Sequence, residues 1–147
     1  AYDQQWMPAG TIRGVIALYA PTDFIWSWMR PSPRRISDSN GVIQQFLGGT
    51  PEQIPEVFDR ASPIRHVSSE SVPTLLIHGG QDELVSPLQS TRLAMALSEA
   101  GTRHLHVEVP WGNHGMDANL SGPSGQITLY LIERFLESLL SSGDTSA

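Results

Sequence analysis

Pro73-Thr74-Leu75-Leu76-Ile77-His78-Gly79-Gly80-Gln81-Asp82-Glu83-Leu84-Val85-Ser86-Pro87 is an apolar run that ends in glycines and then delivers an acid. Leu75, Leu76 and Ile77 do not alternate with polar residues, which suits a strand covered on both faces of a parallel sheet. Gly79 and Gly80 then predict a sharp turn through backbone angles closed to other residues. Ser86-Pro87 predicts a helix start, with Ser86 as N-cap and Pro87 at the first helical position. The segment therefore reads strand, loop, helix, with Asp82 on the loop. Loops at the carboxyl ends of parallel strands are where open α/β sheets carry their chemistry.

A second stretch, Val107-Glu108-Val109-Pro110-Trp111-Gly112-Asn113-His114-Gly115-Met116, is another strand running into a glycine-flanked loop, which presents His114. His114 follows Asp82 by 32 residues, room for one helix and one strand. Both loops should open on the same edge of the sheet. An acid followed by a histidine on successive strand ends is the tail of the Ser, Asp, His order of α/β-hydrolases.

On these residues the chain resembles the C-terminal half of an α/β-hydrolase, in the carboxylesterase and lipase branch related to prolyl-oligopeptidase-type peptidases. The similar features are Tyr19-Ala20-Pro21-Thr22-Asp23, Ala61-Ser62-Pro63-Ile64, His78-Gly79-x-x-Asp82-x-x-Val85 and Gly112-Asn113-His114-Gly115, in that order from Arg13 to Leu140. The resemblance implies an α/β fold of about three parallel strands with flanking helices. It also implies that Asp82 is the catalytic acid and His114 the general base of a serine esterase. A serine peptidase, or a non-catalytic remnant serving as a binding module, is the alternative. The expected layout is one partial domain over 1–147: a strand and acid-side turn at 11–23, a helical, cap-like insertion at 24–70, two strands with helices at 71–140, and a polar tail at 141–147.

Composition narrows the partners. A net charge of −6 argues against nucleic acid and anionic membrane, and the absence of cysteine removes disulfides and thiolate chemistry. No uncharged apolar run is long enough to span a bilayer. Ala1 to Trp6 lacks the pattern of a signal peptide, so a cytoplasmic location is expected; the chain does not begin with Met, which leaves room for a signal upstream.

In chain order, Gly14 to Ala20 reads as the first strand, ended by Pro21. Asp23 is a rival acid, or else an Asx-type turn residue bonding nearby backbone amides. Phe24-Ile25-Trp26-Ser27-Trp28-Met29 is dense in aromatics and precedes a polar stretch from Arg30 to Arg35. Trp26 and Trp28 are candidate walls of an acyl pocket; ordinary core packing is the competing reading. Ser39 to Leu47 reads as a short helix stopped by Gly48-Gly49. Thr50-Pro51-Glu52-Gln53 predicts a second helix, capped by Thr50 and running to about Arg60. His66 falls in the linker that follows, as a surface or capping histidine.

Pro87 to Ala100 is predicted as a helix with Leu93, Ala96, Leu97 and Ala100 on one face and Gly101 at its stop. His104 to Val109 alternates as a half-solvated edge strand does. His104-x-His106 invites reading as a metal pair, but only Glu108 is near as a further ligand, so no metal or other cofactor is expected. Gly125 to Leu140 carries an apolar stripe at helical spacing.

The nucleophile should sit in a Gly-x-Ser-x-Gly turn, and no such pentapeptide occurs. Gly122-Pro123-Ser124-Gly125-Gln126 lacks the last glycine and follows His114, so Ser124 reads as an N-cap. His78-Gly79-Gly80 resembles an oxyanion loop, yet its place ahead of Asp82 makes it part of the acid loop. Glu83 is a possible substitute acid, more at home near a helix N-terminus. The expected partners are thus a small-molecule ester and a missing N-terminal half, or self-association through an open edge of the first strand.

Overall fold

The computed structural model describes residues 12–31 and 38–141. The predicted polar tail beyond Ser141 and most of the Arg30 to Arg35 stretch lie outside them. Three strands, β1 (Val15–Leu18), β2 (Thr74–Gly79) and β3 (His104–Val109), form a parallel sheet in the order β1-β2-β3. Between β1 and β2 run the helices α1 (Phe24–Met29), α2 (Ser39–Leu47) and α3 (Pro55–Ala61) and a 3₁₀ turn at Pro63–His66. Helix α4 (Leu88–Glu99) joins β2 to β3, and α5 (Pro123–Ser141) follows the histidine loop.

Burial explains why β2 is uniformly apolar. Leu75 and Ile77 point to one face, where Val109 and Phe135 of α5 complete a cluster. Leu76 points to the other, against Leu93, Ala94 and Leu97 of α4. The helices α4 and α5 therefore cover opposite faces, and β2 lies between two strands and two helices, as a continuous hydrophobic strand requires.

Strand β1 has a partner on one side only among the described residues. Val15 N donates to Pro73 O at 2.9 Å and Tyr19 N to Ile77 O at 2.8 Å. Alternation along a parallel strand turns the amides of Ile16 and Leu18 the other way, toward the open edge. At the opposite edge, β3 differs from a simple half-solvated strand. His106 pairs in register with Leu76, on the face covered by α4, so it is half-buried and its Nε2 is buried without a hydrogen-bond partner, while Glu108 further along is exposed.

Local sequence signals set most boundaries. Asp38 caps α2 by accepting from Gly41 N, and Gly48 ends it at φ 92°. The helix predicted from Thr50 begins only at Pro55. Thr50 N and Gln53 Oε1 do make the expected contact at 3.0 Å, but around a single turn. Continuing that turn would force Ile54 into the helical region that a following proline disfavours, and Ile54 instead has φ −140°. Pro55 then starts α3, where its missing N–H is harmless. Ser86 makes no side-chain cap to α4; its carbonyl accepts from Gln89 N. His66 Nε2 meets Arg60 O at 2.9 Å on the surface.

Candidate active site

The two predicted residues meet. His114 Nδ1 lies 2.8 Å from Asp82 Oδ2, and since a carboxylate only accepts, Nδ1 carries the proton and Nε2 is left as the basic nitrogen. The Asp82 side chain is 0% exposed and that of His114 32% exposed. Asp82 Oδ1 accepts from Leu84 N and Val85 N, both at 2.9 Å, so its own loop fixes the carboxylate.

The loops are tied together directly. Gln81 N donates to Gly112 O at 2.9 Å and Gly80 N to Val109 O at 2.8 Å. This corrects the expected role of the two glycines: neither Gly79 nor Gly80 has a positive φ. They serve close approach instead. A Cβ on Gly79 would overlap the Gly112 carbonyl and stand 2.9 Å from Asn113 O, and one on Gly80 would stand 3.1 Å from Pro110 Cα.

Two supporting residues carried no role in the sequence reading. Tyr19, directly after β1, has φ 39°, a conformation rare outside glycine and asparagine. Its ring meets the His114 ring edge-on, 4.5 Å between centroids, and its hydroxyl donates to Asp117 Oδ1 at 3.0 Å. Burial, and then the bond to Asp117, raise the Tyr19 hydroxyl pKa, which keeps it a donor. Gln89, buried on α4, accepts from Thr22 N at 2.9 Å and Asp23 N at 2.8 Å and donates to Ser27 Oγ at 2.6 Å. One amide thereby clamps the turn after β1 onto α4. A lone glutamine in a helical stripe gives no sequence signal of such a role.

The remaining candidates separate by their contacts. Asp23 caps α1 through Trp26 N at 2.9 Å and pairs with Arg92 at 2.8 Å, so it is occupied structurally and is not the residue bonded to His114. Glu83 is exposed on the rim of a cleft of about 780 Å³ that also includes Asp82 and His114. Trp26 lines this cleft together with Phe24, Val42, Phe46 and Leu84. Trp28 does not line it among the described residues; its ring stands edge-on to the fully buried Phe58, 5.8 Å away. Ser124 lies inside the first turn of α5, because Pro123 already begins that helix, and it accepts from Trp111 Nε1 at 3.1 Å instead of capping. His104 bonds Thr102 O, and no group of three or more metal-binding side chains occurs among the described residues. No described helix is long and apolar enough to cross a membrane.

Comparison with known proteins places the chain in a family and a fold. The family profile described as BD-FAE matches residues 2–97. Esterase LipC of Mycobacterium tuberculosis (strain ATCC 25618 / H37Rv) is 30% identical over 135 residues, 88% of this chain but 32% of LipC. The acetyl ester-xyloside bifunctional hydrolase of Caldicellulosiruptor lactoaceticus superposes with a TM-score of 0.70 at 24% identity, over 86% of this chain and 42% of that one. The acylaminoacyl peptidase of Pyrococcus horikoshii superposes with a TM-score of 0.69 at 20% identity, over 88% of this chain and 20% of that one. The chain thus spans about a third of the length of LipC and less than half of either solved structure. The profile match covers well over half of the sequence, and the three-stranded parallel sheet is the matching part of the α/β-hydrolase fold. The chain belongs to the BD-FAE family, among the α/β-hydrolase serine hydrolases related to prolyl-oligopeptidase-type enzymes.

Proposed function

We propose that this chain supplies the acid and the general base of a carboxylic ester hydrolase whose serine lies outside it. The observation that carries the reading is the 2.8 Å bond from His114 Nδ1 to the buried Asp82, on a histidine that borders the cleft. In such a site the histidine takes the proton of the attacking serine and returns it to the leaving alcohol. The acid holds the ring in the tautomer with Nδ1 protonated and stabilises the imidazolium that forms. Asp82 and His114 have the contacts for those roles. The serine and the amides that would stabilise a tetrahedral oxyanion have no counterpart in the Gly-x-Ser-x-Gly sense in this sequence.

The substrate would be a small ester whose acyl group lies along Trp26, Phe24 and Phe46. The outward amides of Ile16 and Leu18 give the partner a place, since a bare strand edge favours pairing with another strand. The strand that pairs there would come from the nucleophile-bearing part of the protein. In its absence the edge favours self-association. A peptidase uses the same acid and base, and the esterase reading is preferred because LipC, similar over 88% of this chain, is named an esterase.

The test is to combine the chain with the nucleophile-bearing portion of its protein and assay p-nitrophenyl esters and peptide anilides in parallel. Ester turnover that falls about 10⁴-fold in Asp82→Asn supports the reading. Turnover of anilides alone, or ester turnover indifferent to Asp82, contradicts it.

A further inference from the structure

A second histidine beside the site is as deeply buried as the acid itself and takes no part in the bond between Asp82 and His114. His78, the fifth residue of β2, is 0% exposed. Its Nδ1 lies 2.7 Å from Ser90 Oγ on α4, and its Nε2 lies 3.0 Å from Val85 O and 3.3 Å from Asp82 Oδ2. One ring therefore touches three elements: the strand that carries it, the acid loop and the helix behind that loop.

The partners fix the state of the neutral ring. The Val85 carbonyl and the Asp82 carboxylate can only accept, so Nε2 bears the hydrogen. Nδ1 is then the acceptor, and Ser90 Oγ–H donates to it. The single N–H donates to Val85 O, and Asp82 Oδ2, the oxygen that accepts from His114 Nδ1–H, stands close beside it as an electrostatic contact. The loop bends back so that the amide of Val85 bonds Asp82 Oδ1 while its carbonyl bonds His78. The carboxylate is gripped from both oxygens.

We propose that His78 is a positioning residue for the catalytic pair: its Nε2–H, oriented by Ser90, sets the acid loop and the rotation of the Asp82 carboxylate, and through them the aim of His114. The proposal rests on the reading of Asp82 and His114 as acid and base. It gives the histidine of the strand end a reason beyond packing. An apolar side chain of similar volume would fill the space but leave the part-buried Val85 carbonyl without its donor.

The test compares His78→Leu with His78→Gln, because a glutamine amide reaches far enough to place a donor where Nε2 stands. In the assembled enzyme, His78→Leu should lower kcat by about 10- to 100-fold with KM nearly unchanged. His78→Gln should restore most of it. Equal kcat in wild type and His78→Leu overturns the proposal. So does loss in both variants alike, which would mean a packing role only. Nitrogen-15 NMR of the unmodified chain gives an independent reading if the leucine variant does not fold. The Nε2–H tautomer of His78 is expected, and the Nδ1–H tautomer overturns the proposal. Failure of the acid–base reading itself would look different: His114→Ala would then leave activity intact whatever His78 does.

Discussion

Gly79 and Gly112 face each other across the ends of β2 and β3, so closely that neither can carry a side chain without meeting the other's backbone. That contact lets the acid loop and the histidine loop bond through Gln81 N and Gly112 O, and so sets the spacing of Asp82 and His114. Gly79→Ala would press on backbone, which relaxes poorly. The expected result is a loss of about 1–3 kcal/mol in urea unfolding, the usual range for overpacking, and, on the proposed function, a large loss of ester turnover once the nucleophile-bearing portion is supplied. Unchanged activity would mean that the spacing is set elsewhere.

Gln89→Leu should destabilise the chain by about 1–3 kcal/mol for each buried donor left unsatisfied, of which Thr22 N and Asp23 N are the candidates. Chemical denaturation measures this. Hydrogen exchange should also show the amides of Thr22 and Asp23 losing protection. Wild-type stability in Gln89→Leu would show that Ser62, which accepts from Phe24 N, suffices to hold the turn.

Burial holds the His106 pKa below its usual value; Glu108 opposes the shift, while His78 and His104 add to it. The unfolded chain then binds more protons than the folded one between the lowered pKa and the unfolded value of about 6.5. Stability should therefore fall as pH drops below about 6.5 and be fully present above it. His106→Leu should flatten that slope in urea midpoints measured from pH 7.5 to 5.5. A slope identical to wild type would place the titration in another group.

Trp26 and Trp28 should separate by phenotype. Trp26→Ala, on the cleft wall, should change the preference among acetyl, butyryl and octanoyl esters. Trp28→Ala, packed on Phe58 but half-buried, should leave the preference alone and lower stability by less than the roughly 3 kcal/mol of a fully buried aromatic. The same change of preference in both variants would put both rings in the pocket.

The sequence pattern revealed the sheet because its signals are local: an unbroken apolar run in β2, a glycine stop after α4 and an apolar stripe along α5. The acid and the histidine were legible for the same reason, each standing just past a strand end. Tyr19, Gln89 and the contacts of His78 were not, because their meaning depends on which distant residue they touch. Gln89 and Thr22 are 67 positions apart, and no spacing rule joins them. The Thr50 helix misled for a physical reason, since a sound cap motif is followed by Pro55, which keeps Ile54 out of the helical region. Gly79 and Gly80 are needed, but for room between backbones and not for a positive φ, and Gly79 belongs to the end of β2 and not to the turn.

The most direct measurement is fluorophosphonate labelling with peptide mapping, on the 147-residue chain alone and with the nucleophile-bearing portion of its protein. No serine of the chain alone, Ser124 included, should be labelled. When both portions are present, one serine outside the chain should be labelled, and the label should be lost in His114→Ala. Labelling of a serine within the chain that disappears in His114→Ala would contradict the proposed function.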